Sequence, residues 1–310
     1  MADFRARALG LLLAVAAVAA GAQTSQTEAA IETARESVRA GTEWVARGVD
    51  GWFGDVPFED GGKVTRGRIG LALYKREDDS LDANLRFNAS VRLPNVERQG
   101  YLFFGRDNER DLVTDTPDAL SKEARLLPDT TEERSFFAGL GFALHESVDF
   151  RVGFRGGLKP YVQARYRHSW PIGEAARVDF RETAFWTLDD HLGSTTAVSY
   201  ERALSPTLSM RWLNAATVTQ TNRNFDLSSL LGVYQAFGNQ RVLSLELQAV
   251  ARESSGVGLT DYGVQTRWEQ PLHKDWLLGE ILVGHFWPRP DVQAERRGVW
   301  ALGLQLKMGF

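Results

Sequence analysis

The feature that most constrains the fold is a two-residue alternation of apolar and polar side chains in long segments. From Leu81 to Leu93 all thirteen residues alternate. Successive side chains of a β-strand point to opposite faces, so each such segment has one apolar and one polar face. Segments of about ten residues are longer than typical soluble strands and match the length that crosses a hydrocarbon layer. The pattern predicts an all-β protein, a transmembrane antiparallel up-and-down β-barrel.

Residues 63–310 divide into about fourteen such segments, and a count of twelve stays open because the third (near 99–105) and the tenth (near 225–237) are the weakest. An even count returns both ends of the barrel to the periplasm, as in bacterial single-chain barrels. Aromatic residues gather near segment ends, as in the interfacial girdles of transmembrane barrels; they include Tyr166, Trp170, Phe180, Trp186, Trp268, Trp276, Trp287 and Trp300.

The first 62 residues differ from the rest. A short basic stretch, an apolar run and Ala20-Gly21-Ala22 predict a cleaved signal peptide over 1–22 and an exported chain beginning near Gln23. Residues 23–62 are predicted to form a periplasmic N-terminal helix and a linker, since apolar residues recur at helical spacing between Thr27 and Asp50. We expect this helix to lie against the barrel, and a docking helix for a periplasmic partner is the alternative.

Composition narrows the function. The chain has no cysteine, which excludes disulfides, thiolate metal sites and a lipid-anchored N-terminus. The formal charge is −4, and −5 after removal of residues 1–22, so a general nucleic-acid binder is not expected. No metal-ligand cluster or phosphate-binding glycine motif is present, and we expect no cofactor.

The last eleven residues, WALGLQLKMGF, alternate without a slip and end on an aromatic side chain. This end resembles the C-terminal signature of bacterial outer-membrane β-barrel proteins. The resemblance implies that the protein lies in the outer membrane among its lipids, and that the barrel-assembly machinery reads the final strand with Phe310 as its signal. The resemblance is to the superfamily and carries no active site.

Arginine dominates the side of the strands predicted to face the lumen. Ten arginines fall on this polar register: Arg66, Arg68, Arg86, Arg92, Arg151, Arg155, Arg165, Arg167, Arg177 and Arg181. Guanidinium groups suit carboxylate and phosphate ligands, and rings of cations favour anions in a pore. The favoured function is a narrow passive channel for small anionic or polar solutes. A closed structural or assembly barrel, locked by ion pairs between these arginines and interleaved acids, is the alternative.

A lipid-modifying barrel enzyme is the third candidate, and the positions of its histidine and serine residues argue against it. His168 and Ser169 are adjacent and point to opposite faces of a strand. His145 and Ser147 share a face but lie in a predicted tight turn without a third orienting residue. We therefore predict no catalytic site. Glu182 falls on the lipid-facing register, where a carboxylate is costly, so we expect a β-bulge to turn it inward.

One long polar segment interrupts the strands. Residues 106–132 read as an extracellular loop with a short helix near Asp118. Long loops of this kind can fold back into a pore or contact a ligand. The high polarity favours an exposed, disordered loop instead.

Overall fold

A computed structural model describes residues 25–96, 100–127, 134–221, 225–252, 256 and 258–310. The predicted signal peptide, residues 1–22, lies outside the described residues. Within the described part of the chain, no helix is long and apolar enough to cross a membrane.

The strands form one closed antiparallel sheet in which each strand pairs with its neighbours in sequence, and β1 pairs with β14. The barrel therefore has no open edge, as a bilayer requires. All fourteen predicted strands are present, including the weakly predicted third and tenth. Their bounds are β1 Lys63–Arg76, β2 Leu81–Arg92, β3 Gly100–Asn108, β4 Arg134–His145, β5 Val148–Arg155, β6 Lys159–Ile172, β7 Ala176–Thr187, β8 His191–Ala203, β9 Leu208–Thr219, β10 Phe225–Ala236, β11 Val242–Arg252, β12 Gly258–His273, β13 Leu277–Phe286 and β14 Val299–Gly309.

The outer wall of the barrel is apolar and ends in aromatic clusters. The Phe180 ring contacts the rings of Tyr166 and Trp170 at the end where both barrel termini lie, which we call the periplasmic end. Tyr262, Trp287 and Trp300 lie around His285 at the opposite end. Exposed leucine, valine and phenylalanine side chains lie between these clusters. Two aromatic girdles around an apolar band are the mark of a barrel that spans a bilayer.

Phe310 packs at the seam where β1 and β14 close the barrel. Nine residue pairs join β1 to β14, from Arg68 opposite Gly309 to Arg76 opposite Ala301. The Phe310 ring stacks on Phe87 at 6.1 Å and covers Gly67, where a Cβ atom would lie 2.4 Å from the ring. Phe310 thereby caps the periplasmic end of the seam, and its role as an assembly signal stays a prediction.

Two helices accompany the sheet. Helix α1 (Ser25–Asp50) lies outside the barrel at the periplasmic end and packs on β1 and β2. Helix α2 (Glu109–Val113) is short and lies in the connection between β3 and β4, followed by a 3-10 turn over Asp118–Leu120. The short helix expected near Asp118 is thus a single 3-10 turn.

The structure contradicts the β-bulge expected at Glu182. Glu182 pairs in regular register with Tyr166 on one side and Thr196 on the other. It shares the outward face with Phe180, and its carboxylate accepts hydrogen bonds from the Ser194 hydroxyl and, at 2.6 Å, from Thr196 Oγ1. Two hydroxyl donors on the neighbouring strand satisfy the carboxylate, so the backbone has no need to turn it inward.

Candidate functional site

The lumen is crossed by residues 109–127, which we call the infolded segment. It starts at α2, where Asn108 Oδ1 accepts hydrogen bonds from the Arg110 and Asp111 backbone N–H groups at 2.9 and 3.1 Å. Helix start sites favour such a cap because the first N–H groups have no partner within the helix. The cap directs the chain into the barrel, so the expectation of an exposed, disordered loop is wrong for this part of residues 106–132. Residues 128–133 lie outside the described residues.

Polar side chains of the wall fix the backbone of the infolded segment. Gln163 Nε2 on β6 donates to the Leu112 and Val113 carbonyl oxygens at 2.8 and 2.5 Å. Across the lumen, Gln265 Nε2 and Arg267 Nη2 on β12 both donate to the Ala124 carbonyl oxygen at 2.9 Å. Buried carbonyl groups need such partners, so the segment is held at opposite walls.

Apolar contacts add to these bonds. Leu120 packs in a buried cluster with Leu213 and Leu230 on β9 and β10. Leu126 packs on Leu282 and Phe286 of β13, and on β14 a Cβ atom at Gly303 would lie 2.8 Å from its Cδ2 atom. The glycine therefore provides room for the segment.

Asp115 joins the segment to the arginines of β6 and β7. Its carboxylate forms ion pairs with Arg165 and, at 3.3 Å, with Arg181 Nε, and it accepts a hydrogen bond from the Thr183 hydroxyl at 3.1 Å. Arg181 Nη2 also donates to the Asp115 carbonyl oxygen at 2.6 Å. Asp115 has a φ of 54°, a conformation that non-glycine residues rarely adopt. Four interactions at one residue offset that backbone cost.

The charges of Arg125 and Asp111 on the infolded segment perturb each other's pKa. Burial lowers the pKa of the Arg125 guanidinium to about 10, and the charge of Asp111 opposes the shift. Burial raises the pKa of the Asp111 carboxyl, with Arg86 and Arg125 opposing. Arg125 Nη1 donates to the Ser228 hydroxyl at 3.0 Å, which supplies part of the hydration it has lost.

A polar cavity of about 860 Å³ lies between the infolded segment and the β1–β9 side of the wall. Eight arginines and five aspartates line it, so bases exceed acids by three. The arginines are Arg66, Arg86, Arg92, Arg151, Arg165, Arg167, Arg181 and Arg211, and the aspartates are Asp107, Asp111, Asp115, Asp118 and Asp149.

The structure places the ten predicted arginines on the lumen side, and seven of them line this cavity. The other three are ion-paired: Arg68 with Asp118, Arg155 with Glu109 and Asp189, and Arg177 with Asp179 and Glu201. Arg211, a cavity arginine that the sequence reasoning missed, is paired with Glu201. The role of these arginines in selectivity stays a prediction.

Most cavity arginines are also paired. Arg86 Nε lies 2.5 Å from Glu123, and Arg151 Nε lies 3.1 Å from Asp149 and 2.9 Å from the Tyr101 hydroxyl. In the described part of the chain, three cavity arginines have no ion pair: Arg66, Arg92 and Arg167. All three lie in the periplasmic half of their strands and are exposed to the lumen. They are the cations best placed to meet a solute.

The two histidine–serine pairs considered for catalysis have the following contacts. Ser147 N–H donates to His145 Nδ1 at 3.3 Å, so this imidazole accepts a bond within its own turn. The His168 ring lies on the outer wall beside Trp170, whereas the adjacent Ser169 hydroxyl donates to Asp179 on the lumen side. Among the described residues, no three histidine, aspartate or glutamate side chains are grouped to hold a metal ion.

No protein-family model matches this chain, and no curated protein sequence matches it. Solved structures share the barrel. The outer membrane channel DcaP of Acinetobacter baumannii is 10% identical, with 81% of this chain and 98% of that chain covered and a TM-score of 0.49. For OprB of Pseudomonas putida the values are 8%, 82%, 95% and 0.48. For the KdgM porin in complex with disordered oligogalacturonate they are 8%, 78%, 99% and 0.39.

Identities this low concern the fold alone. The chain's own architecture is the firmer evidence for how it folds. It has a closed sheet of fourteen antiparallel strands, an apolar outer wall and aromatic residues at each end of that wall. The protein has the fold of a transmembrane antiparallel β-barrel.

Proposed function

We propose that this barrel is a narrow passive channel for small anionic or polar solutes, with lumen arginines as its selectivity element. The observation that carries the proposal is the 860 Å³ cavity, in which eight arginines face five aspartates. Pores lined by cationic side chains favour anions, and charge in a confined lumen acts more strongly than charge on an open surface.

The unpaired arginines give the proposal its specific form. Arg66, Arg92 and Arg167 make no ion pair with the described residues, so their charge is available to a passing solute. A guanidinium group presents five donors in a planar fork, which fits carboxylate and phosphate groups in particular. Small organic acids and inorganic anions are the solutes of choice.

The test is the reversal potential of the refolded barrel in a planar bilayer under a salt gradient. The variant replaces Arg66, Arg92 and Arg167 together with glutamine. The matched control replaces three exposed arginines outside the lumen, Arg39, Arg47 and Arg297, whose side chains are about half exposed or more. We expect anion-selective conductance in the original protein and in the control, and a shift toward cations in the lumen variant. An unchanged reversal potential in the lumen variant would refute the role of these arginines.

A closed barrel with a structural or assembly role is the second candidate, and the infolded segment favours it. The segment contacts β6, β9, β10 and β12–β14, and its bonds to Gln163 and Gln265 come from opposite walls. If the well-folded original protein shows no conductance in the bilayer, that result would support this candidate. Conductance that appears only after Asp115→Ala would then identify the segment as the closure.

A further inference from the structure

Helix α1 crosses the periplasmic rim outside the barrel and is fixed at both ends. Near its start, Glu32 accepts hydrogen bonds from Lys274 in the β12–β13 turn, and Arg35 Nε donates to the Gly309 carbonyl oxygen at 3.0 Å. At its end, Asp50 accepts from the Asn95 backbone and side-chain amides at 3.1 and 2.7 Å. The helix therefore passes β14 and β1 and covers the periplasmic end of the seam.

One face of α1 is buried against the outer wall. Ala46 is fully buried and packs in a cluster with Val64, Val91 and Leu102. Val91 and Leu102 pair directly across β2 and β3 on the outward register. Farther toward the extracellular end, the same register carries Leu85 and Leu71, which are exposed on the lipid-facing wall. The helix thus lies on the continuation of the lipid-facing surface and outside the lumen.

The remaining two faces of α1 differ sharply in chemistry. One carries Glu36, Arg39, Glu43 and Arg47, with Arg39 Nε 3.1 Å from Glu43 and Arg47 Nη2 2.9 Å from Glu59. At 100° per residue, the other face lies about 120° away and carries Gly41, Trp44 and Gly48. The Trp44 side chain is 74% exposed, and Trp52, just beyond the helix, is 80% exposed. Phe53 and Val56 follow, each about half exposed.

We infer that the face made of Gly41, Trp44, Gly48, Trp52 and Phe53 binds the lipid of the periplasmic leaflet, so that α1 is an interfacial anchor beside the barrel seam. Two exposed tryptophans in water leave a large apolar area unburied, and indole rings favour the headgroup boundary of a bilayer. Helices with an aromatic face and a charged face lie in the plane of that boundary. The charged face of α1 has as many acids as bases, so burial of apolar surface drives the binding.

This inference is independent of the proposed channel, because it concerns the outer surface. It also assigns lipid to the tryptophan-bearing face of α1, which a periplasmic protein partner would otherwise bind. A protein partner would bury the tryptophans only when present, whereas lipid buries them in the isolated barrel.

The cysteine-free chain allows a direct test. A single cysteine at Gly48, where a Cβ atom meets nothing within 4 Å, keeps both tryptophans in place. The matched control places the cysteine at the exposed Glu36 on the charged face. Each full-length variant is labelled with an environment-sensitive fluorophore and refolded into vesicles of phosphatidylethanolamine and phosphatidylglycerol.

We expect the label at position 48 to emit at shorter wavelength, to be quenched by lipids with brominated chains and to be shielded from aqueous iodide. The label at position 36 shows the reverse. Replacement of Trp44 and Trp52 by glutamine is expected to reduce the bromolipid quenching at position 48. Equal iodide access at both positions would overturn the inference. Shielding of position 48 from both quenchers would overturn it as well, since the face would then be covered by protein.

Discussion

The two sides of the lumen differ in how their charges are used. On the β11–β14 side, Glu246, Gln265 and Glu280 are almost fully buried. Glu246 pairs with Arg267, Glu280 pairs with Arg267 and Lys307, and the Gln265 amide donates to Glu246. These buried side chains fill this side of the lumen, which we call the filled side. Its ion-pair network has three acids, Glu246, Glu269 and Glu280, and two bases, Arg267 and Lys307. On the β1–β9 side, the cavity has three more arginines than aspartates.

The difference separates structural charge from charge that a solute can meet. A buried network of paired charges stabilises a specific packing but leaves little room for a ligand. An excess of partly hydrated cations does the opposite. The infolded segment matches this division, because it presents Leu126 to the filled side and Asp115 to the arginine side.

The largest effect is expected on the filled side. Glu280→Gln removes the carboxylate that binds Lys307 and lies 3.2 Å from Arg267 Nη1. Arg267 and Lys307 then lose the buried carboxylate that they share and keep only Glu246 and Glu269, so the free energy of unfolding should fall by about 3–5 kcal/mol. Urea titration in lipid vesicles, followed by tryptophan fluorescence, measures this change. The control Glu295→Gln alters an exposed pair and should be neutral; a neutral Glu280→Gln would show that the network is not structural.

The next effect concerns the junction between the two sides. Asp115→Ala removes the carboxylate that receives Arg165, Arg181 and Thr183. We expect a loss of about 2–4 kcal/mol in the free energy of unfolding because the buried Arg165 and the partly buried Arg181 lose a partner. The released segment should also raise single-channel conductance several-fold.

Asp118→Ala is the control for this junction, since the Asp118 side chain is 95% exposed and its contact with Arg68 is long at 3.5 Å. Conductance that is equal in both variants would contradict the view that Asp115 fixes the segment across the lumen.

The strands were predictable from sequence because the two-residue period is a local property. The infolded segment was not, since its contacts join residues far apart, such as Ala124 with Gln265 and Arg125 with Ser228. The apolar residues Leu112, Leu120 and Leu126 within residues 106–132 are the signal that could have indicated burial.

The arginine register was predictable, but the pairing was not. Arg165 and Arg167 occupy equivalent positions in the alternation of β6, yet only Arg165 has an ion pair among the described residues, and that partner comes from the infolded segment. The β-bulge predicted at Glu182 was wrong for a related reason, because the hydroxyl groups that donate to this carboxylate, Ser194 and Thr196, lie on the next strand.

Arg165 and Arg167 therefore provide the sharpest test of paired against unpaired charge. Each substitution by glutamine removes one positive charge from the same cavity. Arg165→Gln leaves Asp115 short of a buried donor and should cost about 1.5–3 kcal/mol, whereas Arg167→Gln should change the free energy of unfolding by less than about 0.5 kcal/mol. Denaturant titration measures the stability of each, and reversal potential measures its selectivity.

We expect Arg167→Gln to shift selectivity toward cations at least as much as Arg165→Gln. A larger shift for Arg165, together with no loss of stability, would reverse the assignment of structural and solute-facing charge.

A small effect of the opposite sign is expected at Asp111, where the infolded segment meets the arginine side. Because burial raises the pKa of this carboxyl in the folded protein, its contribution to stability is present in acid and is lost as the pH rises through the folded pKa. Asp111→Asn should therefore gain slightly at neutral pH, by less than about 1 kcal/mol, and lose part of the pH dependence above the ordinary range of an aspartate.

Denaturant titrations from about pH 4 to about pH 8 measure the change, because folded aspartates with raised pKa values titrate in roughly this range. Asp118→Asn is the matched control, because its exposed carboxyl lines the same cavity. The Asp111 substitution also removes one of five cavity acids, so anion selectivity should rise with stability. A variant that loses stability at neutral pH would instead place Asp111 with Glu280, among the charges that hold the lumen together.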